Sequence, residues 1–110
     1  MIELRRYQRA PLDVPVAFSP RSPTVPAAGP APRQPGRAKD ISLGGMFVIT
    51  GEPLPFGAEM VVHVLLPAQK VELALPGVVR WSRVGEGMGV QFGMLGARET
   101  HAITELTRAR

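Results

Sequence analysis

The chain has 110 residues, of which 45% are hydrophobic and 20% charged, and this composition is typical of one small globular domain. It contains no cysteine, which excludes disulfide bonds, thiol catalysis and thiolate metal sites. The two histidines, His63 and His101, have no partners at a metal-ligand spacing, so we expect no metal and no cofactor. No segment approaches the ~20 apolar residues of a membrane span, and residues 1–5 lack the apolar core of a signal peptide, which predicts a cytoplasmic protein.

The net charge of +4 is concentrated in the first third of the chain. Residues 1–39 hold seven basic and two acidic side chains, whereas residues 40–110 hold six basic and seven acidic ones. This asymmetry favours a local anion site near the N-terminus over a basic face that covers duplex nucleic acid. A solvated basic tail is the alternative interpretation.

Apolar residues alternate with small or polar ones near the N-terminus and predict a first strand, formed around Leu12, Val14, Val16 and Phe18. Pro15 interrupts this strand and indicates an edge or a bulge, because proline cannot donate to a strand ladder. Residues 19–37 contain six prolines among small and polar residues. They predict a mobile loop, partly polyproline II, which we interpret as a tolerated insertion in preference to a docking strip for a partner.

Short apolar runs separated by Gly and Pro predict further strands over residues 46–50, 60–66, 71–75, 78–81 and 88–92. Pro76 and Gly77 are expected to form a bulge between two of them. Leu95, Ala102, Ile103 and Leu106 recur at helical spacing and predict a C-terminal helix over residues 95–108. Strands followed by one helix favour an antiparallel barrel or sandwich that the helix could cover at an open end.

Two short motifs carry candidate binding chemistry. Arg5 and Arg9 form an Arg-x-x-x-Arg pair, and Asp40, Ser42 and Gly45 form Asp-x-Ser-x-x-Gly. Guanidinium groups match phosphate oxygens and the O6/N7 edge of guanine, and a carboxylate can accept the N–H donors of the opposite guanine edge. Glycine allows a backbone to approach a ligand closely. Together the motifs indicate a site for an anionic ligand that bears guanine.

A third segment lies within residues 77–92 and reads Gly-Val-Val-Arg-Trp followed by Gly-Met-Gly-Val-Gln-Phe. With the two motifs and this segment in that order, the chain resembles the PilZ domain family over nearly all of its length. The resemblance implies an all-β fold with a C-terminal helix, in which a six-stranded antiparallel β-barrel (the PilZ-like split barrel) forms a single domain over residues 1–110. It also implies a non-enzymatic receptor for the bacterial second messenger cyclic di-GMP.

In such domains the Arg-x-x-x-Arg segment closes over the ligand, and the Asp-x-Ser-x-x-Gly loop receives a guanine. The resemblance therefore implies five cyclic di-GMP-binding residues: Arg5, Arg9, Asp40, Ser42 and Gly45. Arg6 is an adjacent third cation, which we expect to assist them. We expect residues 1–11 to be a flexible, Arg-rich segment that ligand binding orders against the barrel. We also expect a downstream protein partner, with the chain itself a monomer or a weak homodimer.

Each motif also has a purely local interpretation. Asp40 and Ser42 could cap backbone N–H groups in a turn, and Gly44 and Gly45 could supply positive φ at the start of a strand. Arg5, Arg6 and Arg9 could form an ordinary charged tail. Two aromatic residues of the late segment, Trp81 and Phe92, are expected in the core.

Three other functions compete with the cyclic di-GMP receptor. One is a PilZ-like module that binds protein and no nucleotide. A second is a nucleic-acid binder, suggested by a sequence pI near 10.7, although a 5% aromatic content argues against a base-stacking platform. An enzyme is the least favoured class, because we find no nucleophile–base pair, metal cluster or acid–base dyad in the sequence.

Overall fold

A computed structural model of the protein describes residues 9–21, 33–67 and 69–108. These residues form six strands and one helix: β1 (Ala10–Pro20), β2 (Gln34–Ile41), β3 (Gly45–Ile49), β4 (Glu59–Val64), β5 (Leu73–Arg83), β6 (Gly87–Phe92) and α1 (Ala97–Arg108). All neighbouring strands are antiparallel and close into a barrel in the order β1-β2-β3-β6-β5-β4. The predicted six-stranded antiparallel barrel with a C-terminal helix is confirmed. No helix in the described ranges is long and apolar enough to cross a membrane.

The barrel core is built by the period-two alternation of the strands. In β4, for example, Met60, Val62 and Val64 are buried, while Glu59 is exposed. The helix contributes Ala102 and Ile103 to the same core cluster, so it extends the barrel core. Burial of each large aliphatic side chain stabilises the fold by roughly 1.5–3 kcal/mol.

Two segments predicted to be flexible overlap with strands of the barrel, and the rest of each, residues 1–8 and 22–32, lies outside the described residues. Ala10 and Pro11 belong to β1, and Ala10 is fully buried, so the prediction that residues 1–11 are flexible is wrong at its C-terminal end. The predicted loop over residues 19–37 is likewise wrong at both ends, because β1 continues to Pro20 and β2 begins at Gln34. Strand β2 escaped detection because it contains proline and glycine and exposes charged side chains, which mask its alternation.

The irregularities of β1 and β5 also lie at positions other than those predicted. Pro15 pairs in register with Arg37 inside a closed barrel, so it marks no edge; the nearby irregularity lies between Pro11 and Val14. Pro76 and Gly77 pair regularly with β4, and the irregularity of β5 lies between Val79 and Trp81.

Strand β5 tolerates Pro76 for a geometric reason. The Pro76 carbonyl accepts a hydrogen bond from the N–H of Gly93, at 2.8 Å, on the β6 side of the strand. The missing proline N–H points to the same side, where β6 has already ended at Phe92. Proline therefore costs at most the reciprocal hydrogen bond to Gly93, just past the end of β6. Helix α1 begins at Ala97, two residues after the predicted start, so Leu95 precedes it.

Candidate functional site

Strand pairing brings the two predicted motifs together. Arg9 immediately precedes β1, and the β1–β2 register places Ala10 opposite Ile41 and Pro11 opposite Asp40. The Arg9 side chain consequently reaches Asp40, with 2.8 Å between Nη1 and Oδ1. Two residues 31 positions apart in the chain thus form one charged pair at the barrel surface.

A bulge in β2 turns Asp40 outward. The β2–β3 register shifts between Ala38 and Asp40, so Lys39 is an extra residue at this point. Ala38 and Ile41 are both fully buried, whereas the Asp40 side chain remains 34% exposed. Asp40 Oδ1 also accepts the backbone N–H of Phe47 at 3.3 Å. One carboxylate oxygen therefore has two donors, and the orientation of the group is restrained.

Ser42 and Gly45 shape the turn between β2 and β3. Ser42 is only 3% exposed, and its Oγ accepts the Gly44 N–H at 3.0 Å. The Ser42 N–H donates to the Gly45 carbonyl at 2.9 Å. The local interpretation of Asp40 and Ser42 as acceptors for backbone N–H groups is thus present in the structure.

Gly45 is required for a close approach within the barrel. Neither Gly44 nor Gly45 has positive φ, so that interpretation of the glycine pair is wrong. A Cβ on Gly45 would instead overlap the carbonyl oxygen of Val90 in β6. Glycine at this position lets β3 and β6 pack closely.

An aromatic pair, exposed Trp81 and half-buried Phe47, lies beside the charged pair. Trp81 stacks on Phe47 with ring centroids 5.2 Å apart and an interplanar angle of 26°. Strand pairing places Asp40 opposite Phe47, Phe47 opposite Gly89, and Gly89 opposite Trp81. These four residues form one row across β2, β3, β6 and β5. We call Phe47 and Trp81 the aromatic shelf.

Trp81 was expected in the core, and this prediction is wrong because the side chain is 45% exposed. Val79 is buried, and strict alternation would bury Trp81 as well. Arg80 is the extra residue of a bulge, which reverses the alternation and turns Trp81 outward. Gly89 was the available signal in the sequence for an indole packed across β6, because a Cβ at that position would overlap the ring. Phe92, by contrast, is buried as predicted.

Arg5 and Arg6 lie outside the described residues. Three further basic residues, two on β2 and one just before it, are paired with carboxylates. Arg33 contacts Glu72 at 3.2 Å, and Asp13 contacts both Arg37 and Lys39. The hydrogen bond from Arg37 lowers the pKa of the Asp13 carboxyl below its usual value. This internal neutralisation weakens the case for a nucleic-acid-binding face.

One Ser–His contact was missed by sequence reasoning. Ser19 Oγ lies 3.4 Å from His63 Nε2, across the β1–β4 pair. Burial lowers the pKa of His63, with Arg33 contributing in the same direction and Glu72 opposing it. Ser19 is only 8% exposed, so a substrate could not reach its hydroxyl, and we assign the pair a structural role. No group of three or more His, Asp or Glu side chains in the described ranges could hold a metal ion.

Comparison with known proteins agrees with this architecture. Residues 3–109 match the family model of the PilZ domain. A UDP-forming cellulose synthase catalytic subunit of Xanthomonas axonopodis pv. citri (strain 306) is 30% identical over 109 residues, covering 98% of this chain and 14% of that protein. The chain therefore spans about a seventh of the length of this relative.

Two solved structures share the fold. The PilZ domain of CeSA from a cellulose-synthesizing bacterium aligns with a TM-score of 0.64 and 19% identity, over 92% of this chain and 95% of that one. The Bacillus subtilis inhibitor of motility (MotI/DgrA) aligns with a TM-score of 0.68 and 19% identity, over 99% of this chain and 52% of that one.

Proposed function

Because the chain belongs to the PilZ domain family, we propose that it is a non-enzymatic receptor that binds cyclic di-GMP on the outer face of the barrel. The observation that carries this proposal is the position of Arg9. Its guanidinium lies 2.8 Å from Asp40, in a row of residues that ends at the exposed indole of Trp81. A cation, an acceptor and an aromatic face are thus available on one surface.

The three groups match complementary parts of the ligand. The Arg9 guanidinium suits a phosphate or the O6/N7 edge of guanine, and Asp40 can accept the N–H donors of the opposite guanine edge. The aromatic shelf offers Trp81 as a stacking surface for a purine. A bidentate Arg–guanine pair contributes roughly 1–3 kcal/mol and base stacking about as much per base. Micromolar affinity requires about −8 kcal/mol, so several of these contacts must act together.

Ser42 and Gly45 have a supporting place in this proposal. Both are buried, and both hold the turn that follows Asp40. Their shared contribution is to present the backbone of the turn and the Asp40 carboxylate in a fixed orientation. Arg5 and Arg6 are proposed as further cations that join the ligand from the preceding segment.

The signal is proposed to be an ordering of the N-terminal segment. Fixing the backbone of one residue costs roughly 1–2 kcal/mol, which the ligand contacts must offset. The ordered segment and the bound ligand would create a new surface for a downstream protein. Amide exchange of residues 1–9 with and without cyclic di-GMP tests this step. Equal protection in the two states would contradict it.

Calorimetric titration with cyclic di-GMP is the test of binding itself. We expect heat from the wild type and an affinity at least about ten-fold lower for Arg9→Ala and for Asp40→Ala, equivalent to losing one contact of roughly 1.4 kcal/mol. Arg98→Ala and Glu105→Ala remove one charge of each sign elsewhere, at exposed positions on α1, and should bind as the wild type does. Absence of binding by the folded wild type would refute the proposal.

A protein-interaction module that binds no nucleotide is the second candidate. Ile49 and Val84 favour it, because both expose apolar side chains, at 41% and 84%. They lie at one end of the β3–β6–β5 face: Ile49 pairs with Gly87, and Val84 follows β5 directly. If the folded wild type does not bind cyclic di-GMP in the titration, the protein-interaction function is better supported than the receptor function.

A further inference from the structure

We propose that the Arg9–Asp40 ion pair is a specificity gate, which favours ligands that carry both an anionic group and N–H donors over ligands that carry only one of them. The inference rests on the proposed function, because it assigns a selection rule to the same site. Without a ligand, each of the two groups already has a partner in the other. A ligand must therefore compete with an existing contact.

The pair is maintained by the fold. Strand pairing of Pro11 with Asp40 sets the position of Arg9, and the N–H of Phe47 restrains the carboxylate from the opposite strand. The two side chains are 45% and 34% exposed, so water reaches both and the contact can open. The pair is thus stable enough to occupy the site and weak enough to be exchanged.

Exchange of partners follows from the chemistry of each group. A ligand that offers only phosphate can bind Arg9, but it leaves Asp40 without its cation and close to another anion. A ligand that offers only a guanine edge can bind Asp40, but it separates Arg9 from its anion. A guanine nucleotide supplies phosphate to Arg9 and N–H donors to Asp40, so it replaces both halves of the contact.

Inorganic pyrophosphate is a suitable probe because it has phosphate and no base. Asp40→Asn removes the carboxylate charge and retains an oxygen acceptor for the Phe47 N–H. We expect Asp40→Asn to bind pyrophosphate more tightly than the wild type by a factor of up to about five, the range expected for release of an exposed ion pair. The same substitution should weaken binding of cyclic di-GMP, so the two ligands respond in opposite directions.

Two controls separate the gate from a general change of charge. Glu52→Gln alters the net charge equally, but Glu52 is exposed beyond Ile49, the last residue of β3, and away from the Phe47–Asp40 pairing, so it should change pyrophosphate binding little. In an Arg9→Gln background, Asp40→Asn should no longer tighten pyrophosphate binding, because there is no guanidinium to release. Simple repulsion by the Asp40 charge would persist in that background.

Titrations followed by the backbone amide signals of Gly44 and Phe47 would measure these affinities and verify that each variant is folded. Tighter pyrophosphate binding by Asp40→Asn only when Arg9 is present supports the gate. An equal effect in both backgrounds, or none in either, overturns it. A wild type that does not bind cyclic di-GMP would refute the proposed function instead, and the pyrophosphate result would still report on the pair.

Discussion

Asp40 and Trp81 lie at opposite ends of one row on the outer face of the barrel, and each is turned outward by a β-bulge in its own strand. The bulge residue is Lys39 in β2 and Arg80 in β5. Without these bulges, alternation from the buried Ala38 and Val79 would direct both side chains into the core. The candidate site therefore depends on two local departures from regular strand geometry.

Trp81 is expected to contribute directly to ligand affinity. Trp81→Ala should weaken cyclic di-GMP binding by about 1–3 kcal/mol, the usual contribution of a base–aromatic stack. Trp81→Phe retains a ring and should recover part of the loss, and Leu65→Ala, which truncates an exposed side chain after β4, should have no effect. Calorimetry measures all three. If Trp81→Ala matched the wild type, the shelf would not be part of the site.

Trp81 is also an intrinsic probe, because it is the single tryptophan of the chain. Gly89→Ala would place a Cβ where the indole now lies and should displace the ring. We expect altered tryptophan fluorescence and about 1 kcal/mol lower stability, at the lower end of overpacking effects because the ring can move outward. Gly51→Ala is the matched control, since a Cβ there meets no atom within 4 Å. An unchanged emission spectrum for Gly89→Ala would contradict the assigned packing.

Gly45 tests whether the final glycine of the motif is structural. Gly45→Ala would force a Cβ against the Val90 carbonyl, and the backbone can relieve this only by separating β3 from β6. We expect a loss of about 1–3 kcal/mol in the free energy of unfolding, measured by urea denaturation without ligand. Gly51→Ala again serves as the control. A fully stable Gly45→Ala protein would indicate that the glycine serves the ligand alone.

His63 should make stability depend on pH. Burial lowers its folded pKa below the ordinary value of 6.5, so the unfolded chain takes up a proton at a higher pH than the folded protein does. The contribution of His63 to stability is therefore fully present above pH 6.5. It declines as the pH falls through 6.5 and stops changing below the folded pKa. Thermal unfolding between about pH 5 and 8 measures this decline, which spans the interval set by the two pKa values.

His63→Gln should remove this part of the pH dependence, whereas His101→Gln should retain it, because His101 is exposed on α1. Three groups around His63 must stay unchanged in this experiment. Ser19 contacts the imidazole, and Arg33 and Glu72 act on its pKa in opposite directions. If His63→Gln and the wild type lost stability in parallel, the buried imidazole would not be the source of the effect.

Much of the architecture was predictable because it follows local rules. Alternating apolar residues indicated β1, β3, β4, β5 and β6, and helical spacing indicated α1. Strand β2 was missed because Pro35, Gly36 and its charged outward side chains leave no alternation to detect. Membership of the PilZ family was predictable from the order of three short motifs. The match of residues 3–109 to the family model confirms it.

Residue types and motif order alone indicated the cations, the acidic acceptor and the glycines of the site, but they did not indicate its aromatic surface. Which of these residues meet, and which face water, became evident from the folded barrel. The contact between Arg9 and Asp40 arises from the pairing of β1 with β2, and the exposure of Trp81 arises from an inserted residue in β5. The physical reason is that register and bulges depend on the partner strand, and no pattern within one strand encodes the partner's position.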